Sequence, residues 1–325
     1  MRYLAWLFVL LLLLAAGMAG AGWWYLERFM AAPSSAQSET IVLLEPGSGL
    51  ARIAADLTRA GVVDDALLFR FGARVEGRDR ALKAGEYAFP AAATPREVLD
   101  ILEEGKSIQH RLVVPEGLTV QEVAALVEAD PVLEGPMPAL PSEGTLLPET
   151  WFFVRGETRA DLIGRMQASM VRALDEAWAE RAPDLPLADK GEVLTLASII
   201  EKETAVADEY GLVAGVFVNR LRRGMPLQTD PTVIYALTGG SGALGRALLR
   251  KDLEIDSPYN TYRITGLPPG PIANPGKAAI RAAVAPADTD FLYFVADGTG
   301  GHAFAETLAE HNRNVAKWRK IKKDG

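Results

Sequence analysis

Residues 3–26 form a run of 24 positions without a formal charge. At about 1.5 Å of rise per residue, a helix of this length covers a hydrocarbon core of roughly 30 Å with some tilt. The run predicts a single membrane span. Tyr3 and Trp6 stand at one end and Trp23, Trp24 and Tyr25 at the other, where amphipathic rings favour the headgroup layer. A cleaved signal peptide is the competing reading, because Ala19, Gly20 and Ala21 are small enough for a peptidase. The apolar stretch outruns the usual ~7–15 residues of such a segment and continues through two bulky tryptophans, which favours an uncleaved anchor. Arg2 and the α-amine precede the span while Glu27 and Arg28 follow it, so the charge balance favours a cytoplasmic N-terminus and an exported body.

Beyond the span the pattern changes from continuous to periodic. Residues 1–28 are read as cytoplasmic tip and anchor, and residues 29–39, ending in small and polar positions, as a linker. A weak internal repeat follows: IVLLEPG at 41–47 and RLVVPEG at 111–117, each leading into apolar residues at helical spacing (Leu50, Ile53, Ala54, Leu57; then Val120, Val123, Ala124, Val127). Each copy predicts a short strand, a Pro/Gly turn and an amphipathic helix. Thr94-Pro95-Arg96-Glu97 is a helix start with Pro at the first position, Gly105 its stop, and Thr119 with Glu122 has capping-box spacing. Residues 40–110 thus read as a strand-helix-helix-strand-helix unit, with GEYAF at 85–89 as its second strand.

In residues 111–325 long helices dominate. One begins at the Thr158/Asp161 pair and runs towards Arg181, and the most regular helix covers residues 193–205. A strand at 291–296, a turn at 297–301, a partner strand around 302–305 and a final helix from Thr307, with Glu310 three residues on, complete the pattern. Strands and helices mix without βαβ regularity, which predicts an α+β fold.

Composition narrows the chemistry. The chain has 325 residues, 49% of them hydrophobic, enough for about two domains with real cores. With no cysteine, disulfides, thiolate metal sites and a cysteine nucleophile are excluded, and three scattered histidines make no zinc site. A net charge of −8 lacks the footprint of a nucleic-acid binder. GSGALG at 240–245 matches a dinucleotide fingerprint in letters, yet the preceding segment is short and no acidic residue closes a second strand, so it reads as a loop. Ser198 and Lys202, four apart, share a helix face and offer the minimal geometry of a Ser-Lys hydrolase.

Glu201-Lys202-Glu203-Thr204 is more informative. Val193, Leu196, Ile200 and Glu203 recur at i, i+3, i+7 and i+10, so Glu203 continues an apolar stripe. A carboxyl in apolar surroundings has a raised pKa, which suits a general acid. Alone, Glu201 and Glu203 would read as solvated charges at a helix end. The irregular segments downstream, QTDPT at 228–232, YNTY at 259–262 and IANP at 272–275, are rich in hydrogen-bonding and aromatic residues of the kind that recognise carbohydrate.

LASIIEKET at 196–204, VFVNRL at 216–221, LQTDPTVIY at 227–235, YNTY at 259–262, GLPPG at 266–270, LYFVAD at 292–297 and LPETW at 147–151 together resemble the endolytic murein (peptidoglycan) transglycosylases, the YceG-like family. The resemblance covers nearly the whole chain. It implies a single anchor, a small LysM-like α/β domain at 40–110 and a larger mixed α+β catalytic domain at 111–325, in a bacterial inner-membrane protein whose body faces the periplasm. It further implies that Glu203 is the catalytic acid/base, with Glu201 as fallback, in a lyase reaction that cuts nascent glycan strands and leaves 1,6-anhydro ends. Gln228, Asp230, Tyr259, Asn260 and Asn274 are candidate substrate contacts, each of which could instead hold a loop in place. No metal or cofactor is implied, and a penicillin-binding protein synthase is the implied partner. The LysM-like unit is either a glycan binder or a pedestal. Two other readings remain: a non-catalytic peptidoglycan-binding scaffold, and a Ser198/Lys202 hydrolase.

Overall fold

The computed structural model describes residues 2–324. The chain divides into two compact units, residues 1–110 with 153–156, and residues 111–152 with 157–325.

In the first unit, helix α1 (Arg2–Ala31) includes a stretch long and apolar enough to cross a membrane. Strand β1 (Thr40–Leu44) pairs antiparallel with β2 (Gly85–Phe89), Thr40 opposite Phe89 and Leu44 opposite Gly85. Because side chains alternate along a strand, Val42, Leu44, Tyr87 and Phe89 all point inward. They meet α2 (Leu50–Arg59), α3 (Ala66–Val75) and α4 (Pro95–Glu104) in one core containing Leu57, Phe69, Leu99 and Leu102. Local chemistry sets the helix ends: Asp65 accepts from the Leu67 and Leu68 amides, while Thr94 and Glu97 form a full capping box before Pro95. Gly105 closes α4 in the left-handed region at φ 73°, where a side chain would be strained.

Several positions of the stretch expected as a linker, residues 29–39, pack on the first unit. Helix α1 continues to Ala31, and Leu26 and Met30 are buried in the core of the first unit. Gly72 of α3 makes the room, since a Cβ there would lie 2.3 Å from the Met30 sulfur. Arg96 of α4 clamps the same turn, donating to Glu27 at 2.7 Å and to Glu76 at 2.8 Å. The Ser34 amide donates to the Ala93 carbonyl and the Ala92 amide to the Ala36 carbonyl. Small polar residues can lie flat on a surface as readily as they swing free, and composition alone does not distinguish the two.

The second repeat copy forms β3 (His110–Val113) and α5 (Val120–Ala129), and β3 pairs with β4 (Thr150–Phe153). The second unit continues with α6 (Arg159–Ala179), capped by Thr158 and Asp161, and α7 (Lys190–Glu203), capped by Asp189. After a 3-10 turn (Ala207–Glu209) come α8 (Tyr210–Arg222), α9 (Asp230–Thr238) and α10 (Lys277–Val284). The β5 (Tyr293–Ala296) and β6 (His302–Ala305) hairpin and the final helix α11 (Leu308–Asp324) close the chain. Helices α6, α8, α9 and α10 all pack on α7. The architecture is mixed α+β, with three separate two-stranded sheets among the described residues.

Candidate active site

Helix α7 is enclosed on every side from Val193 to Ile200, and all eight of these residues, Thr195 and Ser198 among them, are buried. The expected stripe is therefore not a stripe, because the helix is enclosed rather than half-buried. What separates the polar residues at its C-terminal end is their contacts.

Glu201 is fully engaged. Its carboxylate accepts from the Tyr210 hydroxyl at 2.9 Å and the Gly276 amide at 2.8 Å, holding the start of α10 against α7. Lys202 donates to the Gly117 carbonyl at 3.0 Å. Thr204 donates to Glu209 at 3.0 Å. Ser198, fully buried, donates to the Thr195 carbonyl at 2.7 Å and accepts from the Ile272 amide at 3.0 Å. With both roles of its hydroxyl spent and Lys202 bound elsewhere, the Ser-Lys arrangement is structural.

Glu203 differs from all of these. The residue stays partly open to solvent, yet its carboxyl is enclosed closely enough that desolvation pushes its pKa up to about 7. The Thr229 hydroxyl, which donates to it, opposes the rise, as do His302 and Arg220, while Asp230 adds to it. Thr229 is itself fixed by a buried hydroxyl cluster: its amide donates to Thr261 at 3.1 Å, and the Thr232 hydroxyl donates to its carbonyl at 2.8 Å. Burial pushes the Tyr262 hydroxyl pKa up, helped by its 2.6 Å bond to Asp230.

Arg220 is buried, donates to the Leu292 and Leu227 carbonyls at 2.7 Å each, and lies over the Tyr293 ring. It thereby ties the segments flanking Glu203 while supplying a fixed positive charge. Burial would raise the Glu209 carboxyl, but bonds from the His302 ring, the His302 amide and Thr204 together hold it low. The turn after α7 and strand β6 are thus joined near the Glu203 carboxyl.

The expected substrate contacts separate into two groups. Gln228 and Asp230 are exposed, Gln228 in the left-handed region at φ 51°, and Tyr259 is partly exposed against the Tyr235 ring. Asn260 and Asn274 are fully buried. Asn260 donates to the Leu253 and Ile255 carbonyls and accepts from the Tyr262 amide. Asn274 donates to the Leu118 carbonyl and accepts from the Leu146 amide. In both the amide groups are spent on backbone, so the expectation of substrate contact gives way to loop clamping.

Arg220, His302 and Glu209 were not among the sequence candidates. A buried arginine inside an apolar helix was a readable signal; the pairing of His302 with Glu209, 93 positions apart, left none. A cavity of about 410 Å³ is lined by Lys202, Pro231, Tyr235, Ile272 and residues 242–246, and Glu203 is not part of its lining. The loop that imitates a dinucleotide fingerprint follows a helix, α9, and serves as cavity wall.

The YceG-like family matches residues 42–317. An endolytic murein transglycosylase of Streptococcus pneumoniae is 31% identical over 358 aligned positions, which cover 95% of this chain and 64% of that protein. A Bacillus subtilis protein of the same name is 42% identical over 178 positions, 55% of this chain and 48% of that protein. The chain thus spans less than two thirds of either relative's length. The crystal structure of a YceG-like protein from Listeria monocytogenes superposes with a TM-score of 0.51 at 32% identity, covering 85% of this chain and 99% of that one. With a match running from strand β1 into helix α11, the chain belongs to the YceG-like family.

Proposed function

We propose that the protein is a membrane-anchored endolytic lytic transglycosylase that cleaves the MurNAc-β-1,4-GlcNAc bond of nascent peptidoglycan and so ends strand elongation. The names of its relatives support the substrate and the class of reaction. The observation that carries the reading is Glu203, a carboxyl shielded enough to hold a proton near neutral pH and open enough to reach a ligand.

Protonated Glu203 donates to the glycosidic oxygen as the bond to C1 breaks. The resulting carboxylate takes the proton from the C6 hydroxyl of the same MurNAc, whose oxygen bonds to C1 and closes the 1,6-anhydro ring. Glu203 ends protonated again, and no water enters. An intramolecular nucleophile has a high effective concentration, so one carboxyl replaces the pair that hydrolases use. Thr229 holds the Glu203 carboxyl in position, and Gln228, Asp230 and Tyr259 are the proposed sugar contacts. On this reading the apolar helix anchors the protein in the bacterial inner membrane, with its N-terminus cytoplasmic, its body periplasmic and a penicillin-binding protein synthase as its partner.

The test incubates the full chain in detergent, and its Glu203→Gln variant, with purified peptidoglycan and reads the released ends by mass spectrometry. Ends one water lighter from the wild type and none from the variant are expected. Fully hydrated ends would assign a hydrolase, with Asp230 as the second carboxylate at hand. No cleavage by folded wild type would leave a glycan-binding scaffold.

A further inference from the structure

Helix α3 is apolar on two sides. Phe69, Gly72 and Ala73 face the core of the first unit, whereas Leu67, Phe71 and Val75 are 72%, 58% and 41% exposed. At i, i+4 and i+8 the exposed three lie in one row. A ten-residue helix with apolar residues on both sides needs a second apolar medium.

The structure shows which medium adjoins it. Gly72, the residue after Phe71, is the seat of Met30 on α1. Met30 lies five residues beyond Tyr25, the last of the three aromatics closing the apolar run, which is about 7 Å along the helix axis. The headgroup layer extends roughly 5–8 Å beyond each side of the hydrocarbon core. Gly72, and with it the adjacent Phe71 turn of α3, therefore lies at headgroup depth, against a helix whose Trp23, Trp24 and Tyr25 are all more than half exposed. Exposed Arg74 on the same helix suits the anionic headgroups of a bilayer surface.

We propose that the exposed row of α3 is a second membrane contact, inserted in the headgroup and upper acyl region of the leaflet that α1 leaves. The proposal rests on α1 crossing the bilayer. The first unit is then held by two elements, a span and an interfacial helix, and cannot swivel freely about α1. Depth favours lipid over a protein partner, because any partner on this row would have to displace the membrane surface.

The absence of cysteine makes the test direct. Single-cysteine variants of the full chain, Leu12→Cys, Glu45→Cys, Leu67→Cys and Phe71→Cys, are spin-labelled and reconstituted in phosphatidylethanolamine/phosphatidylglycerol vesicles. Relaxation by oxygen, which partitions into lipid, is compared with relaxation by a water-soluble nickel complex. All four positions are exposed, so folding is retained. Labels at 67 and 71 are expected to lose most of the nickel relaxation seen at 45 and to gain oxygen relaxation towards the level at 12. Nickel relaxation at 67 and 71 equal to that at 45 would overturn the proposal while leaving the span intact. Shielding from both relaxants would also overturn it, in favour of a protein occupant. Water access at 12 would sink the span itself, and with it this contact.

Discussion

The consequence of enclosing Glu203 can be worked out with its sign. Its carboxyl, ordinarily near 4.5, is raised to about 7 in the folded protein. Below pH 4.5 both folded and unfolded chains hold the proton, and the group is neutral for stability. Between 4.5 and 7 the unfolded chain releases it while the folded chain keeps it, so stability falls as pH rises. After discounting for its partial opening to solvent, the loss is about 2 kcal/mol above pH 7.5. Glu203→Gln removes this penalty. The variant is expected to match the wild-type melting temperature at pH 4 and to exceed it at pH 8, while the proposed function has it lose activity; equal melting at both pH values would mean that the carboxyl is not desolvated. If Glu203 is the acid of the proposed reaction, wild-type cleavage declines as pH rises through 7. Asn274 gives the opposite kind of test. Asn274→Ala leaves the Leu146 amide without its partner in the interior, at about 1–3 kcal/mol, while the Leu118 carbonyl keeps the Asn274 backbone amide. A lower melting temperature with unchanged KM is expected of a loop clamp, whereas a raised KM without loss of stability would restore it as a substrate contact.

At the level of elements, packing can reverse what local propensity favours. Gly215 lies in the middle of α8, where Ala is preferred by about 1 kcal/mol. A Cβ there would lie 2.8 Å from the Ala287 carbonyl oxygen and 3.0 Å from the Thr289 methyl. Backbone cannot yield cheaply, and overpacking of this kind costs about 1–3 kcal/mol. Gly215→Ala should therefore lower the melting temperature, and an unchanged or higher one would show that the segment around residue 287 is free to retreat. The same balance explains what could be read from the sequence. The starts of α4, α5 and α6 were legible because capping boxes are local, and the strand-turn-helix repeat because its periods are. The last turns of α1 were not, since only the distant Gly72 and Arg96 make Met30 and Glu27 parts of a fold. Glu203 was picked out by a stripe that α7, buried all round from Val193 to Ile200, does not have. Its real distinction from Glu201 lies in Thr229 on one side and in Tyr210 and Gly276 on the other, none of which periodicity can show.

At the scale of the whole molecule, the chain cannot be divided where the hydrophobic span ends. Leu26 and Met30 belong to the core of the first unit, and each contributes about 1.5–3 kcal/mol by burial. Together that is roughly 3–6 kcal/mol, a large share of the 5–15 kcal/mol typical of a domain. A chain beginning at residue 40 discards both, along with the Glu27 to Arg96 bond, and opens the groove above Gly72. One beginning at residue 24 keeps all three while losing most of the apolar run. The first unit of the shorter chain is expected to exchange its β1 and β2 amides, such as those of Val42 and Tyr87, orders of magnitude faster than that of the longer one. An equal rate in both would mean that the end of α1 only rests on the unit. If the difference appears, a soluble form of this protein must retain the last two turns of α1, and studies of glycan binding by the first unit should begin from that longer chain.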